Sequence, residues 1–283
     1  MKILILGARG NLGSQLVKVF GDDSIAWDRE DLDITQREEV LSKISALKPD
    51  VIINATAYNA VDKCEEIEEE NALARKLNGE AVANLADAAL EINAILIHYS
   101  TDYVFNGENE RGYYESDNTD PINNYGRSKV LGERALHTKS AQGLKYYLIR
   151  TSKLFGPKGP SEVSKPSFFD IMLNLSKERP ELKAVDAEFS CFTYTVDLAV
   201  KTKELLEESY PFGIYHITNS NPVTWYEAAS HLFEIAGIRV KLIAVSSENF
   251  PRPARRPNFS VLLNTKMPPL RDFSEALAEY LNL

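Results

Sequence analysis

A chain of 283 residues with 44% hydrophobic and 26% charged residues can form one large domain or two lobes sharing a cleft, and 13 Tyr with 12 Phe supply a core that a disordered chain lacks. Its net charge of -9 and pI near 5.1 exclude a general nucleic-acid binder, which needs a basic face, so an anionic ligand must meet a local cluster of cations. Cys64, Cys191, His98, His137, His216 and His231 have no ligand spacing, so no metal site and no disulfide framework are expected.

The opening "KILILG" reads as a strand buried on both faces, and "NLGSQLVKVFG" as the helix after it. That apolar run is too short for a signal peptide, and no segment approaches about 18 apolar residues, so a cytoplasmic protein without a membrane partner is expected. "SIAWD" is the second strand, "TQREEVLSKISALKP" a helix capped by Thr35 and ended before Pro49, and "DVIINATA" the third strand. "CEEIEEE" is a solvated helix face. A helix around "ARKLNGEAVANLADAALEIN", the strand "AILIHYST", a helix from about Gly126 to Ser140 and the strand "KYYLIRTS" continue the alternation. Short strands alternating with longer helices predict an α/β, Rossmann-type doubly wound parallel sheet. Beyond it come the loop "GPKGPSEVSKP", helices at "SFFDIMLNLSKE" and "TYTVDLAVKTKELLEE", the strand "FGIYHITN", and a mixed stretch "VTWYEAASHLFEIAG", "KLIAVS" and "PRPARRPNFS". These predict a smaller C-terminal α/β lobe.

Gly7, Gly10 and Gly13 form GxxGxxG between the first strand and the first helix. Glycine there lets the backbone turn sharply and approach a pyrophosphate, which the helix N-terminus favours, although a plain strand-to-helix turn has the same pattern. Arg9, Asn11 and Leu12 are assigned to the same ligand. Asp28 ends the second strand, where an acid holds adenosine ribose hydroxyls, and Arg29 beside it would accept a 2'-phosphate, so NADPH and NADH both remain open. Asp33 and Ile34 could flank the adenine or simply precede a capped helix.

Tyr125 and Lys129 in "YGRSK" are four residues apart on one helix face. An ammonium beside a phenol lowers the phenol's pKa from about 10 toward a value useful for proton transfer. "HYSTDYVFNG" places Ser100, Thr101 and Asp102 at a strand end, where a hydroxyl could bond a substrate oxygen. Hydroxyl, phenol and ammonium beside a nicotinamide make a carbonyl-reductase site. Near the C-terminus, "PRPARRP" brings Arg252, Arg255 and Arg256 together, either to meet a diphosphate or to pair with the chain's many carboxylates.

With these elements, "DREDLDIT", "VIINATAYNAVDKCE", "STDYVFNG", "YGRSKVLGE", "TWYEAA", "RPNFSVL" and "PPLRDFSEALAEYL" resemble the dTDP-4-dehydrorhamnose reductase family, within the extended short-chain dehydrogenase/reductase superfamily, over nearly the whole length. The same segments resemble the regulatory subunit of methionine adenosyltransferase, a noncatalytic relative. The first resemblance implies reduction of the 4-keto group of a dTDP-linked 6-deoxyhexose, a nucleotide-sugar substrate. It implies Tyr125 as proton donor, Lys129 holding the nicotinamide ribose and tuning Tyr125, and Thr101 orienting the keto oxygen. Ala55, Thr56 and Ala57 would line the cofactor, and Asp102, Lys153 and Arg256 would face the substrate. It also implies a cofactor domain at 1–155 joined by elements near 194–219, with a substrate lobe at 156–193 and 220–283, working as a monomer or homodimer. The related dehydratases place a glutamate after the "STD" aspartate, where this chain has Tyr103, which disfavours dehydration. The chain departs from the reductases at Lys153, where they typically carry a tryptophan that packs on the sugar, at Cys191-Phe192, and in the loop "PKGPSEVSKPSFF".

Overall fold

Ile3–Leu6 (β1) is buried at every position, as a central parallel strand covered on both faces requires. The computed structural model, which describes residues 1–162 and 164–282, continues with Asn11–Phe20 (α1), Ser24–Trp27 (β2), Arg37–Leu47 (α2), Val51–Asn54 (β3), Val61–Glu66 (α3) and Glu68–Arg75 (α4). Then come Ala81–Glu91 (α5), Ile95–Thr101 (β4), Asn124–Ser140 (α6), Lys145–Thr151 (β5), Leu154–Phe155 (β6), Phe168–Glu178 (α7) and Glu181–Val185 (β7). Thr193–Tyr194 (β8), Thr195–Glu207 (α8), Gly213–His216 (β9), Trp225–Ile235 (α9), Lys241–Val245 (β10) and Phe273–Leu281 (α10) complete the order.

Six strands form one sheet in the order β2-β1-β3-β4-β5-β9, and every neighbouring pair is parallel. Leu12, Leu16 and Phe20 of α1 pack with Leu198 and Leu205 of α8 on one face. Val40, Ile44, Leu85, Ala89 and Leu136 from α2, α5 and α6 cover the other. Each fully buried leucine or isoleucine in these layers contributes about 1.5–3 kcal/mol, so the two layers fix the sheet firmly beneath its loops. The chain runs outward from β1 in both directions, and the switch between β1 and β3 opens a crevice at their carboxyl ends.

Two expectations are corrected here. Thr35 does not cap α2: the N-cap is Gln36 without a side-chain bond, because the Thr35 hydroxyl donates to the nearer Asp33 Oδ1 at 2.8 Å. The single helix expected around "ARKLNGE" is broken by a π-helical turn, Lys76–Glu80, between α4 and α5. That turn lies close under α6, where a Cβ on Gly132 would sit 2.3 Å from the Asn78 carbonyl.

A separate core of Phe155, Phe169, Leu182, Phe192, Leu232 and Phe273 holds α7, α9, α10 and the parallel pair β10-β7. Strand β7 escaped the sequence reading: its five residues, exposed at two positions, follow directly on α7. The pair β6-β8 ties this lobe to the end of β5. Among the described residues no helix is long and apolar enough to cross a membrane.

Candidate active site

The glycine turn is built by close approach. Gly7 has φ +74, and a Cβ there would meet Thr56 Cγ2 at 3.0 Å; one on Gly13 would lie 2.0 Å from the Gly7 carbonyl oxygen. Gly10 caps α1 without a side chain, which leaves the first N–H groups of the helix for an anion. Only backbone can form this cradle, and a cofactor diphosphate fits it. The loop after β6 lies against it: Gly159 N–H donates to Asn11 Oδ1 at 2.9 Å, Asn11 Nδ2 donates to the Lys165 carbonyl at 3.0 Å, and Ser161 N–H donates to the Arg9 carbonyl at 3.0 Å. Asn11 thus holds this loop over the turn, a role its position in the motif did not disclose, while Leu12 is buried in the core. Gly13→Ala forces the turn open, and overpacking of this kind costs about 1–3 kcal/mol. The expected loss of NADH affinity is about ten- to a hundredfold, read by nicotinamide fluorescence titration; unchanged affinity would remove the cradle from the cofactor site.

Beside the turn, at the end of β2, lies a cleft of about 430 Å³ lined by Arg9, Trp27, Asp28, Glu30 and Asp31. Asp28 Oδ2 accepts the Arg9 backbone N–H at 3.0 Å, and Oδ1 accepts that of Arg29 at 2.9 Å. Arg29 is exposed and its charge acts on Asp33; the cation lining the cleft is Arg9. The Asp33 carboxylate accepts from the backbone and hydroxyl of Thr35, and Ile34 is buried in the core. Ala55 packs partly against the core under the turn. Thr56 reaches the turn through its methyl, with its N–H held by Asn54 Oδ1 at 3.1 Å, and Ala57 beside it is exposed.

Thr101 is the last residue of β4, and Tyr125 and Lys129 lie in the first turns of α6. Asn123, fully buried, caps this helix by accepting the Gly126 N–H at 2.8 Å and hooks it to the arginine loop by donating to the Arg255 carbonyl at 2.9 Å. A Cβ on Gly126 would lie 2.1 Å from the Tyr103 carbonyl, so the glycine in "YGRSK" lets the helix seat Tyr125 against Tyr103, ring centroids 6.0 Å apart, edge to face. Lys129 Nζ donates to the Tyr99 carbonyl at 2.6 Å. Burial pushes its pKa down to about 8, with Glu133 opposing. Burial also raises the Tyr125 phenol, Asp102 adds to this, and the Thr101 hydroxyl pulls the other way. Lowering of the phenol by Lys129 is therefore not what the structure displays: the ammonium is committed to the β4 backbone, and Tyr125 stays protonated, the state an acid needs.

Parallel pairing sets Thr101 opposite Thr151, which carries the residues after β5 to the same rim. Lys153 has φ 41, a left-handed backbone uncommon for a side chain of this kind and frequent at functional sites. Its ammonium lies 3.8 Å from the Trp225 ring centroid and 5.0 Å from that of Phe192, and donates to the Glu188 carbonyl at 3.3 Å. Burial pushes the Lys153 amine down to about 7, with Asp102 and Glu188 opposing. Asp102, buried and raised by that burial, accepts from Thr101 at 3.0 Å and from Ser260 at 2.6 Å. Lys153 thus sets a cation on an aromatic pair supplied by other segments.

Glu188, buried, accepts from Trp225 Nε1 at 2.9 Å and Ser247 at 3.1 Å and pairs with Arg252. Arg256 is paired with Asp62 of α3, its Nη2 donating at 2.7 Å. The pairing alternative for these two arginines is therefore realised, while Arg255 is exposed. Sequence reasoning missed Glu188, Asp62 and Asn123. Asn123 alone carried a signal, as a capping type just before a helix; the other two act through long-range contacts.

The family model for the RmlD substrate binding domain matches residues 1–283. The chain belongs to the RmlD substrate binding domain family. Among its relatives, the spore coat polysaccharide biosynthesis protein SpsK of Bacillus subtilis is 34% identical, covering 99% of this chain and 96% of its own. A dTDP-4-dehydrorhamnose reductase from Clostridium acetobutylicum superposes with a TM-score of 0.91 at 38% identity, covering 100% of this chain and 99% of that one. The dTDP-4-dehydrorhamnose reductase of Bacillus anthracis, solved in complex with NADP, gives 0.90 at 33% identity, with coverage of 100% and 99%.

Proposed function

We propose that this chain is an NAD(P)H-dependent dTDP-4-dehydrorhamnose reductase, which reduces the 4-keto group of a dTDP-linked 4-dehydro-6-deoxyhexose to give dTDP-L-rhamnose. The observation that carries the reading is the set Thr101, Tyr125 and Lys129 at the sheet rim shared with the glycine cradle, in a chain 38% identical to a protein of that name. When bound in the glycine cradle, a nicotinamide cofactor would supply the hydride. The chain's own residues do the rest. Thr101 orients the carbonyl oxygen, Tyr125 gives it a proton as the alkoxide develops, and Lys129, anchored on the Tyr99 carbonyl, is the residue that would hold the nicotinamide ribose. Gly7, Gly10, Gly13, Ala55, Thr56 and Ala57 hold the cofactor in the 1–155 unit joined by 194–219; the 156–193 and 220–283 lobe takes the sugar nucleotide, with Asp102 and Lys153 facing it and Arg256 reaching it on leaving Asp62. The protein works in the cytoplasm.

The test is oxidation of NADPH and of NADH with dTDP-4-dehydro-6-deoxy-L-mannose supplied, against a control without sugar. Sugar-dependent oxidation is expected. Cofactor binding without turnover would instead favour the noncatalytic, regulatory relative.

Lys153 adds a pH signature. Its amine, lowered from the usual lysine range to about 7, is charged below that pH and neutral above it, so a substrate held by the ammonium is held less well as pH rises. Between pH 6 and 8 the KM for the sugar nucleotide is expected to rise by about tenfold, the order of one charge-assisted hydrogen bond, and Lys153→Met to flatten the profile. A profile unchanged by that substitution would take Lys153 out of substrate binding.

A further inference from the structure

We propose that Glu30 sets the balance between the two nicotinamide cofactors by competing with the adenosine 2'-phosphate for Arg9. This rests on the reductase reading of the same site. Among the described residues, the cleft at the end of β2 is lined by one cation, Arg9, against three carboxylates, Asp28, Glu30 and Asp31. Its lining does not include Arg29, the base the sequence offered for a 2'-phosphate. The Arg9 guanidinium is ion-paired with Glu30 and its Nε lies 3.6 Å from Asp28 Oδ2. Asp28 meanwhile is fixed to the cradle through the Arg9 backbone N–H, the position from which an acid accepts ribose hydroxyls.

NADH leaves these contacts in place, because its ribose brings only hydroxyls to Asp28. The 2'-phosphate of NADPH needs the guanidinium that Glu30 occupies, and once it has displaced Glu30 it faces three like charges. Glu30 and Arg9 are both largely exposed, at 71% and 48%, so the ion pair itself is worth little and opens readily. NADPH is admitted at a handicap.

Dissociation constants for NADH and NADPH are measured by nicotinamide fluorescence, without sugar, for the wild type, Glu30→Gln and Glu30→Gln with Arg9→Gln. Glu30→Gln is expected to tighten NADPH by about five- to tenfold and to leave NADH within about twofold. Adding Arg9→Gln should erase the gain, and raising the salt to about 0.5 M should shrink the wild-type handicap, since exposed charges are screened. An NADPH-to-NADH ratio that Glu30→Gln leaves unchanged overturns the proposal while the reductase reading stands. Failure of the wild type to bind either cofactor overturns both.

Discussion

Tyr125→Phe is expected to lower kcat by about 10²- to 10⁴-fold, the usual contribution of a positioned general acid. The affinity for NADH should stay within about twofold, because the ring remains and only the hydroxyl is lost. Burial, with Asp102 beside it, raises the phenol, so the group is protonated throughout the neutral range and no fraction is wasted as phenolate. The substitution keeps the edge-to-face contact with Tyr103 and the close seat of Gly126 beneath it. Steady-state rates at saturating sugar nucleotide, with cofactor titration alongside, make the measurement. A fall of less than tenfold would show that the proton comes from elsewhere, with a solvent path past Thr101 as the first alternative.

Glu133→Ala is expected to cost about 3–5 kcal/mol of unfolding free energy, the penalty for stripping one partner from a buried ion pair. Glu133 and Arg150 are 7% and 3% exposed. The carboxylate accepts from Arg150 Nε at 3.1 Å, from Nη2 at 2.7 Å and from Ser100 Oγ at 2.5 Å. Truncation leaves the guanidinium in the core beside His216, whose imidazole is already pushed down to about 3 by burial and by that same guanidinium. A neutral histidine cannot take the carboxylate's place. Denaturant unfolding of the variant gives the number, and the double substitution Glu133→Leu with Arg150→Met should recover part of it, as buried pairs replaced whole often do. The pair is also joined to the chemistry, since Ser100 precedes Thr101 on β4 and Glu133 lies one helical turn beyond Lys129. A loss below about 1 kcal/mol would mean that water reaches the guanidinium.

The parallel sheet could be read in advance because its central strands are short apolar runs bounded by turn signals and spaced by longer helical segments. "KILILG" and "DVIINATA" are buried on both faces, so hydrophobicity alone marks them. The reading weakened where burial is one-sided or borrowed. Strand β7 is exposed at two of its five positions, and its pairing with β10 joins segments about 60 residues apart, with no local sign. The π-helical turn at Lys76–Glu80 follows from the need of α6 to pack close at Gly79 and Gly132, a demand from another helix.

The candidate site divides the same way. Gly7, Gly10 and Gly13, the hydroxyl of Thr101 and the Tyr125–Lys129 spacing are fixed by the chain, because glycine turns and one-face helical spacing are local geometry. What Lys153 packs on was decided only in three dimensions, by Trp225 and Phe192 brought beneath it from α9 and the segment before β8. Whether the arginines stand free or paired was likewise settled by Glu188 and Asp62. The direction of the Tyr125 shift depended on burial, which spacing does not record. The sequence by itself determined the sheet, its glycine turn and the one-face spacing of Tyr125 and Lys129, since these follow from short-range backbone rules. Only the tertiary structure decided charge state, ion pairing and the surroundings of Lys153, because desolvation and Coulomb interactions depend on neighbours that the fold alone brings together.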